Sequence, residues 1–292
     1  MAGKAGGKAQ ASGSRPDIAT LGGLLFAVGG ILGGLILEGG KLDQILKPTA
    51  ALIVFGGTFG ATMVTTPFAV LRRAGKKLAV VFFEKARSMD AVIDEIIAYA
   101  AKARKNGIVS LEQDALAIAD PFLNKALNLA VDGTDPQEIR KMMELEIGLE
   151  EHHLDAEAKV FEAAGGYAPT IGIIGAVIGL IQVMQNLANV DEVGRGIATA
   201  FVATIYGVGI ANVFLLPAAN KIRARGALSV QMKELMLEGV IGIVEGLNPK
   251  LIRGKLEAYV LAGSPAKSGL GEPRPAGAAN PAAAPVQTGS PS

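Results

Sequence analysis

Four long stretches of the chain contain no charged side chain. They run over residues 18–37, 48–71, 163–190 and 196–220. A helix of about 20 residues is enough to cross a hydrocarbon core of about 30 Å, and each stretch reaches that length. The pattern therefore predicts four transmembrane helices.

Basic residues mark the ends of these runs that face the cytoplasm. The charges before the first run and directly after the second and fourth are mainly Lys and Arg, whereas the two other connections are short and of mixed sign. The positive-inside rule places both termini, and the segment between the second and third runs, in the cytoplasm. The four spans then form two hairpins.

The first part of the central segment has a helical pattern. Apolar residues at helical spacing run from Met89 to Lys105 and end at Asn106-Gly107, a sequence typical of a helix C-terminus. Ser110 and the glutamine three residues later have the spacing of a capping box. A helix that ends at residue 106 and a second that begins near residue 110 are therefore predicted.

The later segments also predict helices. Asp135 is followed by Pro136 and, three residues after the aspartate, by Glu138, which is the pattern of a capped helix start. From there an amphipathic pattern continues to about residue 164 and is expected to extend the third span into the cytoplasm, with Gly165-Gly166 as a flexure. Residues 228–261 predict one or two further amphipathic helices.

Together these patterns predict an all-α integral membrane protein with four transmembrane helices in two hairpins and a helical cytoplasmic domain. The last thirty residues are mostly Ala, Pro, Gly and Ser, a composition that does not form a packed core, so we expect a disordered tail. The predicted divisions are a cytoplasmic N-terminal extension (1–16), spans 1 and 2 (17–71), a cytoplasmic helical domain (72–162), spans 3 and 4 (163–220), cytoplasmic C-terminal helices (221–262) and the tail (263–292).

Composition supports the membrane assignment and narrows the chemistry. Hydrophobic residues make up 50% of the chain and charged residues 19%. The net charge of +1 gives no reason to expect nucleic acid, and the absence of cysteine excludes disulfides and thiolate metal sites. The two histidines, His152 and His153, are adjacent and so point about 100° apart on a helix. We expect no metal site, no cofactor and no enzymatic activity.

The spans contain polar side chains but no acid or base that titrates near neutral pH. The polar groups of the third and fourth spans are Thr170, Gln182, Gln185, Asn186, Thr199, Thr204, Tyr206 and Asn212. These groups hydrogen-bond but do not exchange protons near pH 7. If ions pass here, a second polypeptide must supply the titrating group; alternatively, the polar groups only bond the helices to one another.

Glycines and two prolines are the other notable features of the spans. Glycines four residues apart, which let helix backbones approach closely, favour oligomeric packing; they are Gly29/Gly33, Gly30/Gly34, Gly56/Gly60 and Gly175/Gly179. Pro169 and Pro217 lie near the cytoplasmic ends of the third and fourth spans. Each proline lacks an amide donor, so the pair predicts a hinge, or else simple helix ends.

Several segments resemble the MotA/PomA family of flagellar motor stator proteins. They are DIATLGG at Asp17–Gly23, YAAKARKNGIVSLE at Tyr99–Glu112, APTIGIIGAVIGLI from Ala168, and FVATIYGVGIANVFLLPAANK at Phe201–Lys221. The order of these motifs, the predicted topology and the length of the cytoplasmic segment agree with that family. The resemblance covers roughly residues 17–260 and leaves out both ends of the chain.

The resemblance implies a function and its partners. Such a protein is a multi-pass subunit of the bacterial inner membrane and forms a homo-oligomeric ring, expected to be a pentamer, around two copies of a MotB-like single-span peptidoglycan-binding protein. The partner supplies the protonatable Asp that these spans lack. Ion flow then produces torque on the rotor protein FliG, which the domain at 72–162 is expected to face.

The resemblance also implies roles for individual residues. Arg104 and Glu112 match the charged pair that contacts FliG, although composition by itself favours a solvated helix face. Pro169 and Pro217 match the prolines that couple ion binding to movement, and Thr204 matches a threonine that lines the ion path.

The transported ion is predicted from one position. Sodium-driven relatives carry a threonine where this chain has Ala176, which offers no hydroxyl to a hard cation that prefers oxygen ligands. The resemblance therefore implies H⁺ rather than Na⁺.

Other functions fit the sequence less well. A proton-driven subunit of the ExbB/TolQ type typically has three spans and lacks the early hairpin at 18–71. A small-solute transporter would need a charged substrate site or an inverted repeat, and neither is recognisable in the sequence. A purely structural scaffold would not explain the polar residues in the third and fourth spans.

Overall fold

The computed structural model describes residues 14–85 and 88–263, which are almost entirely helical. Residues 1–13 of the predicted extension, and the predicted tail from residue 264, lie outside the described residues. The α-helices of the described chain are α1 (Ile18–Leu37), α2 (Leu42–Ile45), α3 (Pro48–Ala51), α4 (Gly57–Thr65), α5 (Phe68–Phe82), α6 (Met89–Asn106), α7 (Glu112–Ala117), α8 (Pro121–Val131), α9 (Pro136–Gln185), α10 (Val190–Ile210), α11 (Leu216–Val244) and α12 (Pro249–Gly263). π-Helical segments at Leu52–Gly56 and Ala211–Leu215, and a 3-10 turn at Ile108–Leu111, join some of them.

Within residues 14–85 and 88–263, four helical stretches are long and apolar enough to cross a membrane, which confirms the four predicted spans. They are Ile18–Leu37, Leu42–Thr65, Pro136–Gln185 and Val190–Val244. The second ends at Thr65 rather than at residue 71, because Thr66 adopts an extended conformation before Pro67. A residue before proline is driven out of the helical region by its ring, so the chain restarts as a separate helix, α5.

The third and fourth spans continue far beyond a bilayer. α9 has 50 residues, and the continuous helical stretch that contains α10 and α11 has 55. At 1.5 Å per residue, they are about 75 and about 83 Å long, more than twice a hydrocarbon core of about 30 Å. The predicted helical extension of the third span is therefore confirmed. The expected flexure at Gly165-Gly166 produces no break in α9.

The predicted end of α6 is confirmed, but the capping box that was predicted to follow it is wrong. α6 ends at Asn106, and Gly107 adopts a φ of +80°, which favours glycine. Ser110 lies within the 3-10 turn, where its hydroxyl donates to the carbonyl of Gly107 at 2.6 Å. The side chain therefore stabilises this turn instead of capping α7.

At the start of α9, half of the predicted capping box forms. The carboxylate of Asp135 accepts a hydrogen bond from the amide of Gln137 at 2.8 Å. Glu138 does not reach back to the cap; it pairs with Lys141 at 2.7 Å, one turn further along the helix.

The interior of the described part of the chain contains three apolar clusters. The largest lies outside the span region and packs α6, α7, α8 and α12 against the distal parts of α9 and α11; its largest fully buried side chains include Ile93, Ile96, Leu123, Leu127, Ile139, Met143, Leu235, Met236, Ile241 and Ile252. A second cluster packs α5 against α9 and α11 through Ala74, Phe161 and Ile222. A third joins the start of the second span to α10 through Val54 and Ala203.

One feature departs from a purely helical chain. Ser14–Pro16 and Phe83–Lys85 pair as short antiparallel strands, with Pro16 opposite Phe83. This pairing holds the start of α1 beside the end of α5. The predicted all-α class stands, because two three-residue strands do not form a sheet with its own core.

Candidate ion-path and rotor-facing sites

Glycines set the distance between α9 and α10. A methyl group placed on Gly172 would lie 2.9 Å from the carbonyl oxygen of Ala203, and one on Gly179 would lie 2.9 Å from the amide nitrogen of Ala200. Since these separations are too short for a carbon atom, the two backbones touch here directly. The close spacing that Gly179 permits is therefore used within a single chain, between α9 and α10. A methyl group on any of the paired glycines of α1, or on Gly56 or Gly60, would meet no other atom of the described chain within 4 Å.

Ala176 and Thr204 lie next to this crossing. Their sequence neighbours Gly175 and Ala203 are in contact, since a methyl group on Gly175 would lie 2.8 Å from Cβ of Ala203. Both Ala176 and Thr204 are half-buried. The hydroxyl of Thr204 donates to the carbonyl of Ala200 at 3.3 Å, which leaves its oxygen able to accept. The two predicted ion-path residues thus flank one helix crossing.

Another glycine contact joins the parts of the third and fourth spans that carry the two predicted coupling prolines. Pro169 lies inside α9 and has no amide to donate to the carbonyl of Gly165, one turn earlier. A methyl group on Gly165 would lie 2.6 Å from Cδ2 of Leu216, the residue before Pro217. Pro217 itself is the second residue of α11, which begins directly after the π-helical segment at Ala211–Leu215. The irregular part of the fourth span therefore packs on the turn of α9 that Pro169 weakens.

Arg104 and Glu112 lie on the surface, on either side of the turn between α6 and α7. Both are exposed, and within the described ranges 14–85 and 88–263 neither forms a salt bridge. The corner is fixed instead by Lys102, whose Nζ lies 2.5 Å from Oδ2 of Asp114. The paired charges hold the turn, and the two predicted rotor-contacting residues remain free to meet a partner.

Sequence reasoning missed several polar residues of the first two spans and their ends. Thr58 and Thr62 are buried in α4, and the Thr62 hydroxyl donates to the Thr58 carbonyl at 2.8 Å. Tyr206 was noted only as a polar residue; its hydroxyl donates to the carbonyl of Ile45 at 2.5 Å and its ring stacks on Phe55. The hydrogen bond between Thr62 and Thr58 is local, but no short-range pattern marks the contacts of Tyr206, because they join residues far apart in the chain.

A buried carboxylate at the start of the first span was also missed. Asp17 is 7% exposed and caps α1 by accepting from the amides of Ala19 and Thr20 at 3.0 and 3.2 Å. Nζ of Lys221 lies 2.5 Å from its Oδ2, and Arg225 also pairs with it. The hydrogen bond from Lys221 holds the pKa of this carboxyl well below its usual range.

A second buried carboxylate joins α5 to α9. Glu157 is 4% exposed, and its oxygens lie 3.5 Å from Nε of Arg73 and 3.9 Å from Nζ of Lys77. Among the side chains of the described segments, no group of three His, Cys, Asp or Glu residues could hold a metal ion. The buried acids therefore serve as anchors between helices.

The fold defines a class: a multi-pass helical membrane protein in which two spans meet at a polar, glycine-packed crossing and continue into a helical domain.

Residues 114–235 match the sequence model of the MotA/TolQ/ExbB proton channel family, and residues 21–107 match that of the motility protein A N-terminal region. Motility protein A of Bacillus subtilis is 35% identical over 255 residues, which cover 87% of this chain and 93% of the relative.

Solved structures give the same result. The flagellar MotAB stator complex from Bacillus subtilis matches with a TM-score of 0.79 and 35% identity over 84% of this chain and 97% of that chain. MotAB of C. jejuni matches with a TM-score of 0.79 and 32% identity, and covers 83% and 95% of the two chains. The chain belongs to the motility protein A family of flagellar stator subunits, which is not an enzyme family.

Proposed function

We propose that this chain forms a proton channel together with a MotB-like single-span peptidoglycan-binding protein and converts ion flow into torque on the rotor protein FliG. One observation carries the proposal: helices of 50 and 55 residues connect the crossing beside Ala176 and Thr204 to the domain that exposes Arg104 and Glu112. Such helices are stiff enough to transmit movement from the membrane to a distant surface.

The partner supplies the titrating acid. The four uncharged runs of this chain contain no carboxylate, so a proton carrier at membrane depth has to come from another polypeptide. The solved Bacillus subtilis relative is a flagellar MotAB stator complex, which supports a MotB-like partner here. Each charge that crosses the membrane provides about 2.3 kcal/mol per 100 mV, several times thermal energy.

The assembly is a ring, proposed as a pentamer around a partner dimer. It lies in the bacterial inner membrane, and both termini of this chain lie in the cytoplasm. The glycines of α1 support contacts between subunits, because a methyl group on any of them would meet no atom of the described residues within 4 Å, apart from the backbone of its own helix. α1 fully buries none of its residues within the described chain and packs mainly against α2, α5 and the π-helical segment at Ala211–Leu215, so an isolated subunit would leave most of this helix to lipid.

A deletion strain tests the function. We expect loss of the gene to leave assembled but paralysed flagella, and expression of the chain with its partner to restore swimming. Unimpaired swimming after deletion, in a cell with no other stator, contradicts the proposal. Purified chain in liposomes should carry no proton current until the single-span partner is added; a full current from this chain alone would mean that the titrating group lies within it.

The choice of ion has a separate test. Because Ala176 offers no hydroxyl beside the crossing, we propose H⁺ as the transported ion, and swimming should persist in sodium-free medium. Swimming that stops there and returns with added Na⁺ would overturn this choice and leave the stator function intact.

A second candidate is a proton-driven subunit of the ExbB/TolQ type, because the matched family includes those proteins. The separate match of residues 21–107 to the motility protein A N-terminal region favours the stator. A deletion that disturbs outer-membrane energy transfer and leaves motility unchanged would favour the alternative.

A further inference from the structure

Seven basic side chains follow the second and fourth apolar runs closely. They are Arg72, Arg73, Lys76, Lys77, Lys221, Arg223 and Arg225. Carboxylates of the chain itself pair with five of them. Within the described part of the chain, the two that pair with no carboxylate are Arg72 and Lys76, and both belong to α5.

The five paired residues join helices through salt bridges. Glu157 pairs with Arg73 and Lys77, and Asp17 pairs with Lys221 and Arg225, as described above. The remaining one, Arg223, has Nε 3.4 Å from Asp155 and also pairs with Glu162. Each of these five cations has a carboxylate partner within the chain and is therefore less available to an external anion than Arg72 and Lys76.

Arg72 and Lys76 lie together on the outer side of α5. They are four residues apart and therefore neighbours on one helix face. Both are exposed, whereas Ala74 and Val81, on the opposite face, are buried against α9 and α11. A guanidinium and an ammonium thus stand side by side, directed away from the bundle.

The position of α5 along the membrane normal identifies what these two cations meet. α5 begins at Phe68, directly after the second span ends at Thr65. Its partner Glu157 lies six residues before the uncharged run of α9 begins at residue 163, which corresponds to about 9 Å along the helix. The polar headgroup layer is about 5–8 Å deep on each side of the hydrocarbon core, so α5 lies at its edge.

We propose that Arg72 and Lys76 form a binding site for the phosphate group of anionic phospholipids. A guanidinium binds phosphate oxygens through two parallel hydrogen bonds, and a neighbouring ammonium adds a second charge. Basic clusters directly beside a span attract anionic headgroups, and each cation near the surface contributes separately. The bound lipids hold α5 at a fixed depth in the membrane. Because Arg73 and Lys77 of α5 pair with the buried Glu157, the same lipids fix the depth of Glu157 in α9.

Lipid retention by the purified full-length chain, in complex with its single-span partner where they assemble, tests the site. The protein is extracted in detergent, mixed with equal amounts of phosphatidylglycerol and phosphatidylcholine, and analysed by native mass spectrometry. We expect the unmodified chain to retain phosphatidylglycerol preferentially. The Arg72→Gln/Lys76→Gln variant should lower the ratio of anionic to zwitterionic lipid by about tenfold.

A matched double neutralisation serves as the control. Lys105 and Lys250 are exposed and lie away from the spans, so Lys105→Gln/Lys250→Gln should leave the lipid ratio unchanged. The charge-preserving variant Arg72→Lys/Lys76→Arg should retain most of the preference. A loss of the preference in this variant while it remains folded would contradict the proposal, whether or not the glutamine variant folds. Free inorganic phosphate at the same concentration should not displace the lipid, because it lacks the acyl chains that hold the headgroup at this depth.

Two results would overturn the proposal. An unchanged lipid ratio in a folded Arg72→Gln/Lys76→Gln variant would show that the two cations do not select anionic lipid. A smaller oligomer with the same lipid ratio would show that they bind an acidic surface of a neighbouring copy instead. Neither result depends on motility, so this experiment tests the lipid site independently of the proposed stator function.

Discussion

Nη2 of Arg225 donates to a carboxylate oxygen of Asp17 at 2.5 Å, and Nη1 of the same side chain donates to the carbonyl of Phe83 at 2.6 Å. One residue of α11 thereby joins the start of α1 to the end of α5. The amide of Asp17 also donates to the carbonyl of Phe82 at 2.8 Å. Since α1 buries none of its own residues in the chain, this junction is a principal attachment of the first span.

Asp17→Asn should destabilise the protein. The substitution keeps the size of the side chain and leaves Lys221 and Arg225 without a negative partner in a buried setting, which typically costs about 3 kcal/mol. Thermal unfolding of the purified chain in detergent measures the effect. Asp43→Asn, which changes an exposed aspartate of α2, should leave the melting temperature unchanged.

The same junction predicts a pH dependence. Because Lys221 lowers the pKa of Asp17 in the folded protein, folding favours the ionised carboxylate. Its contribution is complete above the ordinary aspartate pKa of about 3.9 and is lost as the pH falls below that value. Melting temperatures between about pH 6 and pH 3 should fall more steeply for the unmodified chain than for Asp17→Asn. Equal slopes for the two proteins would argue against this linkage.

Local patterns predicted most of the fold, and long-range contacts account for what they missed. The spans, the end of α6 and the helix that continues from Pro136 all follow from periodicity, glycine and proline within a few residues. Asp17 and Tyr206 were not recognised as anchors because their partners lie more than 150 residues away in sequence. Ser110 was misassigned since the spacing of a capping box also fits a 3-10 turn. The contact of Gly165 with Leu216 depends on how α9 and α11 pack, which spacing does not reveal.

Gly172→Ala should weaken the crossing of α9 and α10. The added methyl group would lie 2.9 Å from the carbonyl oxygen of Ala203, so one backbone has to shift. Overpacking of this kind costs about 1–3 kcal/mol, and we expect a corresponding fall in the free energy of unfolding. Gly166→Ala is the matched control on the same helix, because a methyl group there meets nothing within 4 Å. The control should be neutral or slightly stabilising, because alanine favours a helix more than glycine does. Equal losses in both variants would mean that the close contact at the crossing does not decide the effect.

Pro169→Ala separates stability from coupling. Alanine restores an amide that donates to the carbonyl of Gly165, so the variant should be more resistant to thermal unfolding, by up to about 3 kcal/mol. If the weakened turn serves as the hinge, swimming should be lost although the protein assembles normally. Pro249→Ala, in the first turn of α12 where no helical hydrogen bond is missing, should change neither property. Normal swimming of Pro169→Ala would show that the proline is dispensable for movement.

Thr204→Val tests the proposed ion path. Valine has nearly the same volume, and the lost hydroxyl makes only one hydrogen bond, at 3.3 Å, to a backbone carbonyl. The melting temperature should therefore change little while proton flux through the reconstituted complex falls. Thr65→Val is the control, since the Thr65 hydroxyl also donates to a carbonyl one turn earlier, at 3.3 Å, but lies at the end of the second span. A flux that falls equally in both variants would point to a general effect of removing a hydroxyl from a span.

Charge reversal at Arg104 and Glu112 tests the rotor-facing surface. Both side chains are exposed and form no salt bridge within the described residues, so Arg104→Glu and Glu112→Arg should each reduce swimming and leave the melting temperature unchanged. Like charges brought together across an interface cost several kcal/mol. The double reversal within this chain should not restore swimming, because the two residues are not each other's partners. Reversal of the matching charge on the rotor protein should restore it. Lys250→Glu, on the exposed start of α12, is the control. Full recovery in the double reversal would mean that the two charges act on each other and that the rotor binds elsewhere.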